Sequence, residues 1–170
     1  EGGLTESRYN WETAQVLRDL LQARGARVVL TRTSDDGWGP CVDQRALTAQ
    51  REQADVLVSI HADGADASAS GFHVITPATG PTVTAANRDA SAALAAAVRD
   101  ALVAQGLSPA TYVGGDRGVV QRDDIATVNR AGVPAVMLES GNMHNAGDFA
   151  VLNSEDGRRR IATALADAVA

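Results

Sequence analysis

The sequence predicts an α/β fold: a single-domain sandwich with a mainly parallel twisted sheet flanked by helices on both faces. Two observations predict it. Short apolar, β-branched runs alternate along the chain with longer stripes of helical period, as in folds built from strand–helix units. The clearest run, residues 55–60, is apolar on both of its faces, as a strand covered by helices on either side must be. A chain of 170 residues is about one domain, since domains hold roughly 100–200 residues.

The elements follow in order. Residues 7–24 carry Trp11, Ala14, Val16, Leu17, Leu20 and Leu21 as a helical stripe, and Gly25 stops it. Residues 27–32 read as a buried strand bounded by Gly25 and the polar Ser34-Asp35-Asp36-Gly37 cluster. A shorter helix is expected over 43–53, then the strand at 55–60 and a third strand at 71–76, ended by Pro77. Residues 76–87 read as a loop, and 85–105 as a long Ala-rich helix closed by Gly106. A glycine-bearing loop at 114–118 leads into Val119-Val120 and a short helix near 123–131. Residues 134–138 form the last strand, and 155–169 an amphipathic helix on the sheet.

Composition removes several function classes. A net charge of −6 argues against nucleic acid or an anionic membrane surface as partner, because both need clustered basic groups. No apolar run approaches the ~18 residues of a membrane span, so no membrane insertion is expected. All 15 basic residues are Arg, a compositional bias that carries no chemistry. Cys41, the single cysteine, is either a small buried hydrophobe or half of a disulfide with a partner elsewhere. A chain that starts at Glu1, with a helix opening within ten residues, reads as processed or truncated.

In open α/β sheets functional groups collect beyond the carboxyl ends of strands. The strand at 55–60 runs into His61-Ala62-Asp63, and that at 134–138 into Glu139-Ser140-Gly141-Asn142. A histidine there can be structural, but a buried carboxylate without a partner is costly or shifts its pKa. Glu6, at the start of the first helix, either complements the helix N-terminus or ligates a metal. Glu and His both suit Zn²⁺, whose catalytic sites commonly use three protein ligands. His73 alternates with Phe72 and Val74, so it points opposite to them and reads as structural. Arg32 and Arg45 suit structural ion pairs.

These residues resemble a known family. Glu6, Asn10, Ala14, Leu17, Leu21, Gly25, Val28, Thr31 and Arg32 are similar to the "E…N…A..L…L…G..V..TR" block of zinc-dependent N-acetylmuramoyl-L-alanine amidases of the amidase 3 type. Those enzymes cut bacterial peptidoglycan between the glycan and its stem peptide. Arg45, Ala49, Ala54, Asp55 and Ser59-Ile60-His61-Ala62 resemble the "R…AN…ADLFVSIHAN" block, with Gln50 in place of its Asn. Gly71 and Val74 fit the glycine-led strand, and Pro134-Ala135-Val136, Glu139, Gly141 and Asn145 resemble "PAVLVExGFxSN".

The resemblance implies that Glu6 and His61 are zinc ligands and Glu139 the catalytic carboxylate. It also implies a further histidine ligand in a "DPGHGG"-like turn on a first strand. Residues 1–170 would then be the catalytic domain without that strand and turn. Asn142 stands where the family has Phe, and His144 near its Ser, so both are candidate substrate-binding residues. Residues 77–84 leave no room for the inhibitory helical insertion of some relatives.

The implied reaction is zinc-dependent hydrolysis of the amide between N-acetylmuramic acid and L-alanine, in peptidoglycan or muropeptides. Glu139 would take a proton from water and deliver it to the leaving amine. A wall substrate implies a secreted, periplasmic or cell-wall protein, expected to act as a monomer. Two alternatives stay open: a zinc exopeptidase of similar architecture, and a non-catalytic cell-wall-binding domain.

Overall fold

The computed structural model describes residues 3–36, 39–113 and 117–170. Its elements are α1 (Glu6–Ala23), α2 (Val42–Arg51), β1 (Leu57–Asp63), β2 (His73–Pro77), α3 (Ala85–Ala104), β3 (Val119–Arg122), α4 (Ala126–Asn129), β4 (Ala135–Asn142), α5 (Ala146–Leu152) and α6 (Glu155–Val169). The expected glycine-bearing loop lies partly outside the described residues, at 114–116. The same holds for Gly37 and for residues 1 and 2.

The four strands form one sheet in the order β1-β4-β2-β3. β1 pairs parallel with β4, and β3 parallel with β2, while β2 runs antiparallel to β4. Strand alternation divides the sheet into two faces. Ile60, Ala62, Val74, Val136 and Leu138 point into a core shared with Tyr9 and Leu17 of α1, Val98 and Leu102 of α3, and Ile161 and Leu165 of α6. Leu57, Ile75, Ala135 and Met137 point the other way, against Ala49 of α2 and Val128 of α4. The two helices on that second face are short, ten and four residues, and it is at the carboxyl end of β1 and β4 that the site residues lie.

Capping fixes most helix starts. The Thr5, Thr84, Asn145 and Ser154 side chains each accept from a backbone N–H of the first turn of α1, α3, α5 and α6. α5 has no counterpart in the expected elements. The helix expected over 123–131 begins only at Ala126, because Asp124 instead receives two bonds from Arg122. β1 and β4 also run further than expected, so His61 and Glu139 are strand residues rather than the first residues of loops.

One expected strand does not form. Residues 27–32 are not in the sheet, and residues 28–31 make no hydrogen bond among the described residues. Val29 is 42% exposed rather than buried. The segment is tied at its ends instead: Arg27 donates to the Glu52 carboxylate at 2.9 Å, and Arg32 to Asp35 at 2.7 Å and to the Ser7 carbonyl. Between it and β1 lie two cavities of about 320 and 560 Å³, both lined by Val29, Leu30 and Thr31 on one side and Leu57, Val58 and Ile60 on the other. A β-branched run becomes a strand only when a neighbour pairs with it, and here the nearest edge is across a groove. Cys41 is also not a buried hydrophobe: it is an exposed free thiol at the start of α2.

Candidate active site

The sheet register builds the site. Glu139 on β4 lies opposite His61 on β1 and opposite His73 on β2. Register partners on neighbouring strands share a face, and strands lie about 4.8 Å apart. The three side chains therefore form a His–Glu–His row that continues the apolar rows of Leu57, Ala135–Met137 and Ile75 on the same face. Apolar residues fill that face under α2 and α4, and titratable ones take over at its open end.

Glu6 reaches the row from the first turn of α1. Its Oε1 lies 2.7 Å from His61 Nδ1, and His61 Nε2 lies 3.1 Å from Ser59 Oγ. Asn10, one helical turn on, donates to the same Oε1 at 3.3 Å. The His61 contact, aided by Asn10 and by the Ala62 backbone N–H, holds the Glu6 carboxyl below its ordinary pKa against the opposing effect of burial. Beside the pair, the cavity of about 320 Å³ is lined by Asn10, Trp11, Arg32 and Ser59 among others, with the Arg32 guanidinium 5.1 Å from the Trp11 ring centroid. Arg32 pairs with Asp35, whereas Arg45 donates to the Pro40 carbonyl.

Glu139 sits differently. It is half-buried, its Oε2 has no hydrogen-bond partner, and burial raises its pKa to about 7 although His61 opposes the shift. That is the range in which a carboxylate can both take and return a proton near neutral pH.

A second cluster borders Glu139. His73 is 4% exposed with its Nδ1 unpaired, and Tyr112 meets it edge-on at 6.2 Å between ring centroids. The Tyr112 hydroxyl donates to Asp63 Oδ2 at 2.9 Å. Burial lowers the His73 pKa, with Asp63 pulling the other way. Sequence reading took His73 as structural, quoted Ser59 only within the family block and gave Tyr112 no place. Strand alternation gave the orientation of His73, but its nearness to Glu139 depends on β2 pairing antiparallel with β4.

The two candidate substrate-binding residues differ from each other. Asn142 is fully buried: its Nδ2 donates to the carbonyls of Asp66 (2.7 Å) and Ala69 (2.8 Å), and its Oδ1 accepts from His144 N. His144 is exposed, with Nδ1 2.9 Å from the Ala65 carbonyl. Asp148 fastens this corner, accepting from the Gly71 and Asn142 backbone N–H groups at 2.8 Å each. Gly71 has φ of +97°, and a Cβ there would lie 2.7 Å from the Ser108 carbonyl oxygen, so the turn that starts β2 needs glycine.

Glu6 and His61 bring together one oxygen and one nitrogen donor, the chemistry zinc prefers. Among the described residues, no group of three His, Cys, Asp or Glu is placed to hold a metal ion. The pair thus fits zinc as two donors of a larger set.

The chain matches the family model for N-acetylmuramoyl-L-alanine amidases, Amidase_3, over residues 1–170. It is 42% identical over 168 residues to the N-acetylmuramoyl-L-alanine amidase Rv3717 of Mycobacterium tuberculosis, covering 99% of this chain and 68% of that protein. The crystal structure of the amidase Ami1 from Mycobacterium smegmatis superposes with a TM-score of 0.92 at 39% identity, over 98% of this chain and 76% of that one. The catalytic domain of the amidase CwlV from Bacillus (Paenibacillus) polymyxa gives 0.77 at 28% identity, over 99% and 88%.

Proposed function

Because the chain belongs to the N-acetylmuramoyl-L-alanine amidase family, we propose that its site hydrolyses the amide between N-acetylmuramic acid and L-alanine, with zinc held by Glu6 and His61. The observation that carries the reading is the register pairing of Glu139 with His61, whose Nδ1 meets Glu6 at 2.7 Å. It sets a proton-carrying carboxylate one strand spacing from the donor pair. Zinc, when bound, supplies a Lewis acid and lowers the pKa of water toward ~7.

The protein groups do the rest. Ser59 fixes His61 through Nε2 and leaves Nδ1 turned to Glu6, as outer hydrogen bonds orient metal-ligating imidazoles. Glu139 accepts the proton of the attacking water and returns it to the leaving amine, and its pKa of about 7 suits both steps. His144 contacts the substrate from the rim, while Asn142 shapes the groove by holding the 66–69 loop.

On the same reading, residues 1–170 are the catalytic domain without its first strand, which carries a third, histidine ligand. The groove between residues 28–31 and β1 supports this, since residues 28–31 make no hydrogen bond among the described residues and β1 has a strand partner on its other side only. Zn²⁺ is the cofactor, the protein acts as a monomer outside the cytoplasm, secreted, periplasmic or at the wall, and no described helix is long and apolar enough to cross a membrane.

The test uses purified muropeptides and the protein carrying its preceding strand. Glu139→Ala should lower turnover by at least ~100-fold, the minimum typical of lost acid–base catalysis, with zinc content unchanged. Wild-type turnover in that variant refutes the assignment. His61→Ala should lose zinc by elemental analysis, and stoichiometric retention rules out the ligand role.

A further inference from the structure

Of the buried polar atoms that lack partners, two belong to residues paired with each other near the reacting centre. His73 Nδ1 and Glu139 Oε2 are both buried without a hydrogen bond. His73 and Glu139 are opposite one another in the β2–β4 ladder. Directly opposed residues of an antiparallel pair have Cβ atoms about 4.5–5.5 Å apart, so their side chains can touch. Buried polar groups are rarely left unmatched, and two facing orphans are the natural match for each other.

Tyr9 OH and Ser140 Oγ are also unmatched. Tyr9, however, belongs to the core of α1, α3 and α6, and alternation turns Ser140 to that same face. The donors on the face of Glu139 are committed. Both His61 nitrogens are engaged, by Glu6 and Ser59. The Tyr112 hydroxyl is given to Asp63, and the Arg122 guanidinium makes two bonds to Asp124. That leaves His73. Its ring is also held from the side, since the perpendicular Tyr112 ring, anchored through Asp63 to β1, fixes its plane. Burial lowers the imidazole pKa and so favours the neutral ring, which has one N–H to give and one nitrogen to accept.

We propose that His73 is a positioning residue for Glu139: its Nδ1–H donates to Oε2 in the working site, holding one carboxylate oxygen so that the other faces the water and the leaving amine. His73 touches no reacting atom and acts through Glu139 alone. A carboxylate free to rotate spends less time aligned with the proton it must take, so the loss appears in kcat rather than in binding. The proposal rests on Glu139 being the proton carrier.

Three substitutions test it in the zinc-loaded enzyme. His73→Phe keeps the ring and removes the donor; kcat should fall about 10- to 100-fold, with KM within about twofold. Zinc content should be unchanged, and the fold should hold because Phe keeps the ring that meets Tyr112. His73→Asn places an amide N–H where Nδ1 was and should recover most of the rate. His73→Gln places it at the Nε2 position and should not. Wild-type kcat in His73→Phe, or equal rates for the Asn and Gln variants, overturns the proposal.

An activity-independent measurement separates this from failure of the amidase reading. In ¹H–¹⁵N spectra of the imidazoles, His73 should be the Nδ1–H tautomer, and Glu139→Gln should move its signals. An Nε2–H tautomer, or no response to Glu139→Gln, refutes the contact even if muropeptides are cleaved. Inactivity of the wild-type enzyme with the expected spectra would instead fault the substrate assignment and leave the contact standing.

Discussion

Glu139 and Glu6 are carboxylates a short distance apart with opposite electrostatic fates. The His61 contact keeps Glu6 ionised, whereas burial raises Glu139 to about 7. The second shift has a consequence for stability. A carboxyl whose folded pKa lies above its unfolded value binds more protons in the native state, so its stabilising effect is complete below about 4.5 and disappears as pH rises through 7. At 1.36 kcal/mol per unit the change is roughly 3 kcal/mol. Urea unfolding of the metal-free protein should therefore show Glu139→Gln close to wild type at pH 4.5 and more stable by up to that amount at pH 8. A constant difference across that range would remove burial as the cause. Much of this site was legible in the sequence: Glu139 and His61 stand out because a titratable residue directly follows a short apolar run. His73 and Tyr112 were not, since their place beside Glu139 depends on strand order and direction, which no local pattern encodes.

Among the elements, β1 is an edge strand with a partner on one side only, as is β3. The Leu57 N–H points to the Pro134 carbonyl, and the Ala62 N–H to Glu6 on the opposite side. Alternation then aims the Val58 and Ile60 N–H groups into the groove. Their amides should exchange with solvent much faster than those of Leu57 and Ser59, and docking of a preceding strand should protect them. Equal protection in the 1–170 chain would mean that the groove is already closed. Residues 27–32 read as a strand because their composition is right for one; whether a neighbouring strand pairs with them is not visible in composition. At the other corner, Asp148 joins the start of β2 to the end of β4. Asp148→Ala leaves two backbone N–H groups unmatched and should cost about 1–3 kcal/mol in urea unfolding. Asp148→Asn, which keeps an acceptor oxygen, should recover most of it.

At the scale of the whole molecule, two cores of unequal size share one sheet. The larger joins α1, α3 and α6 to one face, and the smaller joins α2 and α4 to the other. Leu138 is fully buried in the larger core on the central strand, one residue before Glu139. Leu138→Ala should destabilise the fold by about 2–5 kcal/mol, seen as a lower urea midpoint with an unchanged slope. The fold class was legible from the alternation of strand and helix patterns, since both faces of the sheet must be covered by apolar helices. The strand order was not, because pairing depends on contacts far apart in the chain.

The shared phase of the apolar and titratable rows also bears on folding fidelity. Glu139 follows Leu138 directly, so a slip of β4 by one residue against β1 would swap them. The carboxylate would enter the dry core of α1, α3 and α6, and a leucine would be left at the solvent-facing end. Chains that pair in the wrong register are therefore penalised twice, and the reactive carboxylate itself acts as a check on correct assembly.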